Sequence, residues 1–171
     1  MTFRSHNFWD FSVDLYARPK VAEACLDLQQ SYQLDVNLLL FCYWHGHYHG
    51  LIDKVTLEQA IEFSGIWKHA VVQPLRNVRR WMKANKSPSA FEDEAQFQKL
   101  RSRVKFDELA AEKYQQDMLE QLALKYVDMA SDPVGKDTIH GNIELLFAGI
   151  GLQMNDLIEA KLKLIAKAMV S

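Results

Sequence analysis

Turn formers are scarce in this chain: 171 residues hold only 7 Gly and 4 Pro, too few for a meander of short strands. Cysteine is scarcer still. The two present, Cys25 and Cys42, each sit within apolar helical spacing, which argues against a disulfide framework and for reduced core thiols of a cytosolic protein. No excess of charge exists, with 20 Lys or Arg against 22 Asp or Glu, so whole-chain attraction to nucleic acid or an anionic membrane is not implied. No apolar stretch approaches the length that crosses a bilayer. The N-terminus lacks the apolar core and small-residue cleavage site of a signal peptide, and Asp10 and Asp14 interrupt its one aromatic run. A cytoplasmic location without a membrane span is the expectation. Gly-rich phosphate loops, nucleophile elbows and paired-carboxylate helix motifs are also missing, so the reading leans away from an enzyme and assigns no catalytic residue.

What is present is helical spacing. Asp35-Val-Asn-Leu-Leu-Leu-Phe-Cys-Tyr-Trp44 is apolar or aromatic at eight of ten positions, and a helix with no polar face belongs in the middle of a domain. Asp35 supplies its N-cap, and Gly46 and Gly50 weaken or end it. Upstream, Asn7 caps a short helix carrying Phe8, Phe11 and Leu15 that Arg18-Pro19 ends. Pro19 suits the first turn of a second helix, which runs to about Gln33. Downstream, Thr56-Leu-Glu-Gln59 matches a capping box. Ser64-Gly65 reads as a break and Pro74 as a kink or restart, and Asn85 to Ser89 reads as a loop. Residues 90–129 suggest a long, charged helical segment whose narrow apolar face holds Val104, Leu109, Tyr114, Met118, Leu122 and Val127. It projects from the bundle or pairs with a second copy. Ser131-Asp-Pro-Val-Gly135 ends it, Asp137 caps a helix to Phe147, and a last amphipathic helix covers about 155–170. The fold expected is all-α, one domain over 1–171, with six to seven helices around a buried central helix at about 35–46.

Phe8-Trp-Asp-Phe-Ser12, Tyr16-Ala-Arg-Pro19, Val21 with Cys25-Leu26 and Gln29, and Asp35-Val-Asn-Leu-Leu-Leu-Phe-Cys42 followed by Trp44 together resemble an uncharacterised conserved bacterial family, a domain of unknown function. Pro74-Leu-Arg76 with Arg79-Arg80 is a looser match. The resemblance covers the first half of the chain and implies no activity, cofactor or catalytic residue.

Three groups of residues carry chemistry. His45, His47 and His49, with Asp53 nearby, form the one set with a metal-like look: His45 and His49 lie one helical turn apart, and an extended segment would align all three. A divalent metal is the cofactor this set would hold, and a polar helix end is the plainer reading. Arg76, Arg79, Arg80 and Lys83 share one side of a helix, and from Ile66 to Ser87 there are six Lys or Arg and no acid. That face suits an acidic protein partner first and phosphate or nucleic acid second, or it pairs with Glu92-Asp93-Glu94 or with Asp107-Glu108. Asp10, Arg18 and Asn37 could line a polar pocket beside the central helix, although a buried amide such as Asn37 more often ties a neighbouring element. The function expected is a non-catalytic binding or regulatory module acting through protein–protein contacts. Metal or small-ligand binding at the histidines, nucleic-acid binding at the arginines and a homodimer through the long helix are the alternatives.

Overall fold

The computed structural model describes residues 6–85, 94–125 and 136–169. Among them the chain is all-helical: α1 (Phe8–Tyr16), α2 (Val21–Tyr32), α3 (Val36–Tyr48), α4 (Lys54–Trp67), a π-helical segment (Lys68–Val72), α5 (Gln73–Ala84), α6 (Glu94–Leu124), α7 (Lys136–Ile150) and α8 (Asp156–Ala168). With 54–84 taken as one run through the π segment, seven helices result, and no strand occurs among the described residues. Packing separates two compact units, residues 1–62 with 116–171 and residues 63–115.

The first unit is built on α3. Its nine consecutive residues Leu38 to Gly46 are all buried, as an apolar run with no polar face requires. The Asp35 carboxylate accepts from the amides of Asn37 (2.9 Å) and Leu38 (3.4 Å), satisfying orphan donors of the first turn. Around α3 sit α1, α2 and α7, and α8 packs on α2. Phe8 meets Phe41 and Trp44 at ring separations of 5.7 and 5.3 Å. Each such aromatic, fully buried, contributes about 1.5–3 kcal/mol. Polar atoms of the core are tied off in turn. Trp44 Nε1 donates to the His6 carbonyl at 2.8 Å and the Tyr43 hydroxyl to the Leu162 carbonyl at 2.8 Å. Cys25 and Cys42 are buried free thiols, as expected, and burial pushes the Cys25 thiol up to about 12.

Gly46 does not end α3. It lies inside the helix, where an added Cβ would sit 2.7 Å from the Ile139 Cα, so α7 crosses α3 backbone against backbone. Thr138 Oγ1 donates to the Gly46 carbonyl at 2.8 Å across that crossing. The helix ends two residues later, and Gly50 then adopts a positive φ of 86°.

Other expectations shift locally. Pro19 precedes α2 rather than starting it, and Lys20, at φ 65°, makes the turn. Asp53, not Thr56, heads α4: its carboxylate accepts from the Thr56 amide at 3.0 Å. Ser64-Gly65 is no break, because α4 continues to Trp67. Pro74 falls in the first turn of α5, so regular α-helix restarts there, after the π segment. The π segment widens the turn just before Pro74, with the Gln73 amide reaching back five residues to Lys68, which frees the proline ring from the clash it makes in an α-helix. In α6 the buried positions are Glu108, Ala111, Gln115, Gln116, Leu119 and Ala123, whereas Leu109 and Tyr114 are exposed. The proposed stripe fails because its steps of five drift around the helix. The loop at Pro88, the Glu92-Asp93 acids, Val127 and the Ser131–Gly135 break lie outside the described residues.

Gly46→Ala should lower unfolding free energy by about 2–3 kcal/mol, since the atom it meets is backbone and cannot give. Gly65→Ala, whose Cβ meets nothing within 4 Å, should raise it by up to about 1 kcal/mol. Urea titrations of the two variants check both signs.

Candidate functional site

The histidine stretch belongs to the end of α3. Because the helix runs through Gly46 to Tyr48, His45 and His49 stay on one side, with ring centroids 5.4 Å apart, while His47 faces Phe11 and Tyr48. The three do not converge. Asp53 is engaged as the α4 cap, and among the described residues no group of three or more His, Cys, Asp or Glu is placed to hold a metal ion. His45 is buried, and its Nδ1 lies 3.0 Å from the Gly50 carbonyl. A carbonyl only accepts, so Nδ1 carries the proton. Burial pushes the His45 pKa down, against the opposing pull of that hydrogen bond; burial lowers His47 and His49 also.

The same turn is fastened from α7 by a residue the sequence reading passed over. Asn142, fully buried, accepts from the Ile52 amide at 2.8 Å and donates to the Gly50 carbonyl at 3.0 Å. Its signal was available: Asn142 follows Thr138 by one turn and shares a helix face with the apolar Ile139 and Leu146. His45 and Asn142 thus share one carbonyl and hold the α3–α4 connection, which is a structural task.

Asp10, Arg18 and Asn37 do not line one pocket. Asp10 pairs with its own cap residue, Asn7, at 2.9 Å. Arg18 donates to the Ala168 carbonyl at the end of α8. Asn37 accepts from Gln116 Nε2 at 2.8 Å. Asp10 thus closes the first turn of its own helix, Arg18 ties the end of α1 to α8, and Asn37 ties α3 to α6. A groove of about 620 Å³ lies elsewhere in this unit, walled by Tyr43, Ile143, Phe147 and Leu162. Its polar lining residues are His140, Glu144, Glu159 and Lys163, which lie against one another as His140–Glu144 at 3.2 Å and Lys163–Glu159 at 2.6 Å.

The arginine face divides. Within residues 63–115, Arg76 Nε donates to Glu108 at 3.1 Å and its NH2 to Glu112, while Arg79 grips Glu108 through Nε and, at 3.2 Å, NH2. The Arg76 and Glu108 side chains are 12% and 7% exposed, so both guanidiniums are spent on joining α5 to α6. Burial raises the Glu108 pKa, but the hydrogen bonds and charges of Arg79 and Arg76 outweigh it and hold the carboxyl below its usual value. Trp67 Nε1 donates to the Ala111 carbonyl at 2.9 Å and its ring lies 4.6 Å from Tyr114. Arg80 and Lys83 remain exposed.

Exposure in this unit is unusual. Ile66, Val78, Trp81, Leu100, Phe106, Leu109 and Tyr114 are exposed by 46–70%, while its buried hydrophobics among the described residues are Val72, Met82 and Ala111. Leu109 and Tyr114 belong to the narrow apolar face expected of the long helical segment, and Phe106 does not.

A family model described as "Protein of unknown function (DUF2390)" matches residues 7–119. No curated protein and no solved structure matches the chain.

Two pH-dependent stability losses follow from these pairings. Glu108, with a depressed pKa, stabilises the fold fully above the unfolded carboxyl value of about 4.3 and loses this as pH falls through its lower folded value. Glu108→Gln should therefore cost about 3 kcal/mol at neutral pH by stranding the Arg79 guanidinium and leaving Arg76 to Glu112 alone and flatten the acid limb of stability against pH. His45, held neutral, stabilises fully above about pH 6.5 and less as pH drops; His45→Gln should remove its share of the slope between about pH 7 and 5. Denaturant midpoints across pH check both.

Proposed function

The chain belongs to the DUF2390 family, for which an unknown function is the starting point, and we propose that it is a non-catalytic binding or regulatory module acting through protein–protein contacts made by residues 63–115. One observation carries the reading: among its described residues this unit exposes seven large apolar side chains and buries three hydrophobics. Large exposed apolar area marks protein–protein interaction sites. Aromatic residues with basic neighbours, here Trp81 beside Arg80 and Lys83, are frequent anchors of such contacts. The buried free thiols of Cys25 and Cys42 suit the reducing cytoplasm of a bacterial cell, where we place the module.

The binding surface differs from the one expected on the sequence. Arg76 and Arg79 hold the unit together, so a partner meets the apolar side chains and the outlying cations. Self-pairing through α6 and nucleic-acid contact are the competing uses of the same surface. Nothing in the histidine geometry favours the metal reading over these.

A tagged full-length chain used as bait in extracts of its source cells should enrich specific proteins. Trp81→Ser combined with Phe106→Ser, with unchanged circular dichroism, should reduce that enrichment about tenfold or more. An unchanged partner list for the double variant overturns the proposal.

A further inference from the structure

Charge is segregated between the two units in a way the net value of −2 conceals. Residues 63–115 carry 11 Lys or Arg against 6 Asp or Glu, a net of +5, and the remaining residues carry 9 against 16, a net of −7. Within α6 the segregation sharpens. From Ala95 to Phe106 there are four Lys or Arg and no acid. The acids that follow are Asp107, exposed beside the run, and Glu108 and Glu112, which are turned onto Arg76 and Arg79.

Helical geometry then decides what faces outward. Lys99, Arg103 and Phe106 follow at steps of four and three, so they form one row. Ser102, Lys105 and Leu109 form a second row beside it, at steps of three and four. All six are exposed, with Phe106 at 70% and Leu109 at 50%, and Leu100 flanks them at 55%. From Lys99 to Leu109 the face extends about 15 Å, or three turns. It is an apolar pair bordered by three cations, with the single acid Asp107 at its edge one turn after Arg103, lying on the side of α6 opposite its buried Glu108 and Ala111.

We propose that this outward face of α6, over Lys99 to Leu109, docks an acidic amphipathic helix of a partner protein, a refinement that rests on the binding-module reading. The partner's apolar stripe covers Phe106 and Leu109, and its carboxylates meet Lys99, Arg103 and Lys105. An apolar face set in charge of one sign selects a segment carrying apolar residues in charge of the other. The acidic remainder of the chain reinforces the choice, since it repels such a ligand everywhere except at this unit. A nucleic acid fits less well. Leu100 and Leu109 add nothing to a phosphate track, and the guanidiniums best suited to bidentate phosphate contact, Arg76 and Arg79, are held by glutamates.

The test uses the full chain and a fluorescein-labelled peptide of about two heptads, each Leu-Glu-Glu-Leu-Leu-Glu-Glu, read by anisotropy at about 0.05 M and 0.3 M salt. The peptide should bind, weaken with salt, and bind about tenfold or more tighter than the same peptide with Ser for Leu. Phe106→Ser with Leu109→Ser, and separately Lys99→Glu with Arg103→Glu and Lys105→Glu, should each weaken binding about tenfold or more with circular dichroism unchanged. Lys105→Glu alone supplies a milder variant with a smaller loss in the same direction. Absence of binding, or binding insensitive to these variants, overturns the proposal. So does equal affinity for the Leu and Ser peptides, which marks a polyanion response. Tighter binding of a single-stranded or duplex oligonucleotide of equal charge assigns the face to nucleic acid, and peptide-free self-association that these variants abolish assigns it to a second copy; either result overturns the acidic-helix assignment. If the peptide fails while capture from extracts still depends on Trp81 and Phe106, the binding-module reading stands and only the partner chemistry falls.

Discussion

Everything in the larger unit depends on how closely α7 can approach α3. At Gly46 the two backbones come within the space that one methyl group would fill. That approach allows the Thr138 hydroxyl to reach the Gly46 carbonyl. It brings Asn142 over the turn that follows α3, where it satisfies a donor and an acceptor that would otherwise be buried unpaired. An unpaired buried amide or carbonyl costs about 1–3 kcal/mol, so the crossing, the buried histidine and the buried asparagine form one dependent set. His45, which looks like a ligand in the sequence, completes that set as a hydrogen-bond donor.

The smaller unit follows a different logic. With Val72, Met82 and Ala111 as its buried hydrophobics among the described residues, it gains little from apolar burial. Charge joins its helices instead, through one carboxylate that receives two guanidiniums. Pairing of this kind is directional and sets the register of α5 against α6. It also disposes of the inward acids, leaving the outside of α6 from 95 to 106 with cations and apolar side chains but no acid. The same residues thereby explain how the unit is held and why its outer surface has the character it has.

The helical class, the central position of 36–48 and the caps at Asn7 and Asp35 were legible because they depend on local spacing and on side chains that bond a few residues away. The family was legible too, from its aromatic and proline-containing segments. What escaped were relations between distant residues. Gly46 looks like a helix breaker until α7 is placed against it. Arg76 and Arg79 look like a binding face until Glu108 is placed opposite, although that pairing had been weighed. The exposed row in α6 was misread for a local reason: an apolar stripe was fitted at steps of five, which a helix of 3.6 residues per turn does not keep on one side. The acid-free run from 95 to 106 was the better guide.

The π segment at Lys68–Val72 has a consequence for how this chain tolerates changes in length. A π turn holds one residue more than the α turn it replaces, so losing a single residue there would let the helix revert to regular winding at little local cost. Because both forms complete about one turn, the remainder of α5 would keep its heading, and Arg76, Arg79 and Trp81 would stay close to their places. A one-codon deletion inside the segment is absorbed there, whereas the same deletion in the regular part of α5 turns everything after it by about 100°, and in that sense the segment is the one slack turn of this helical run.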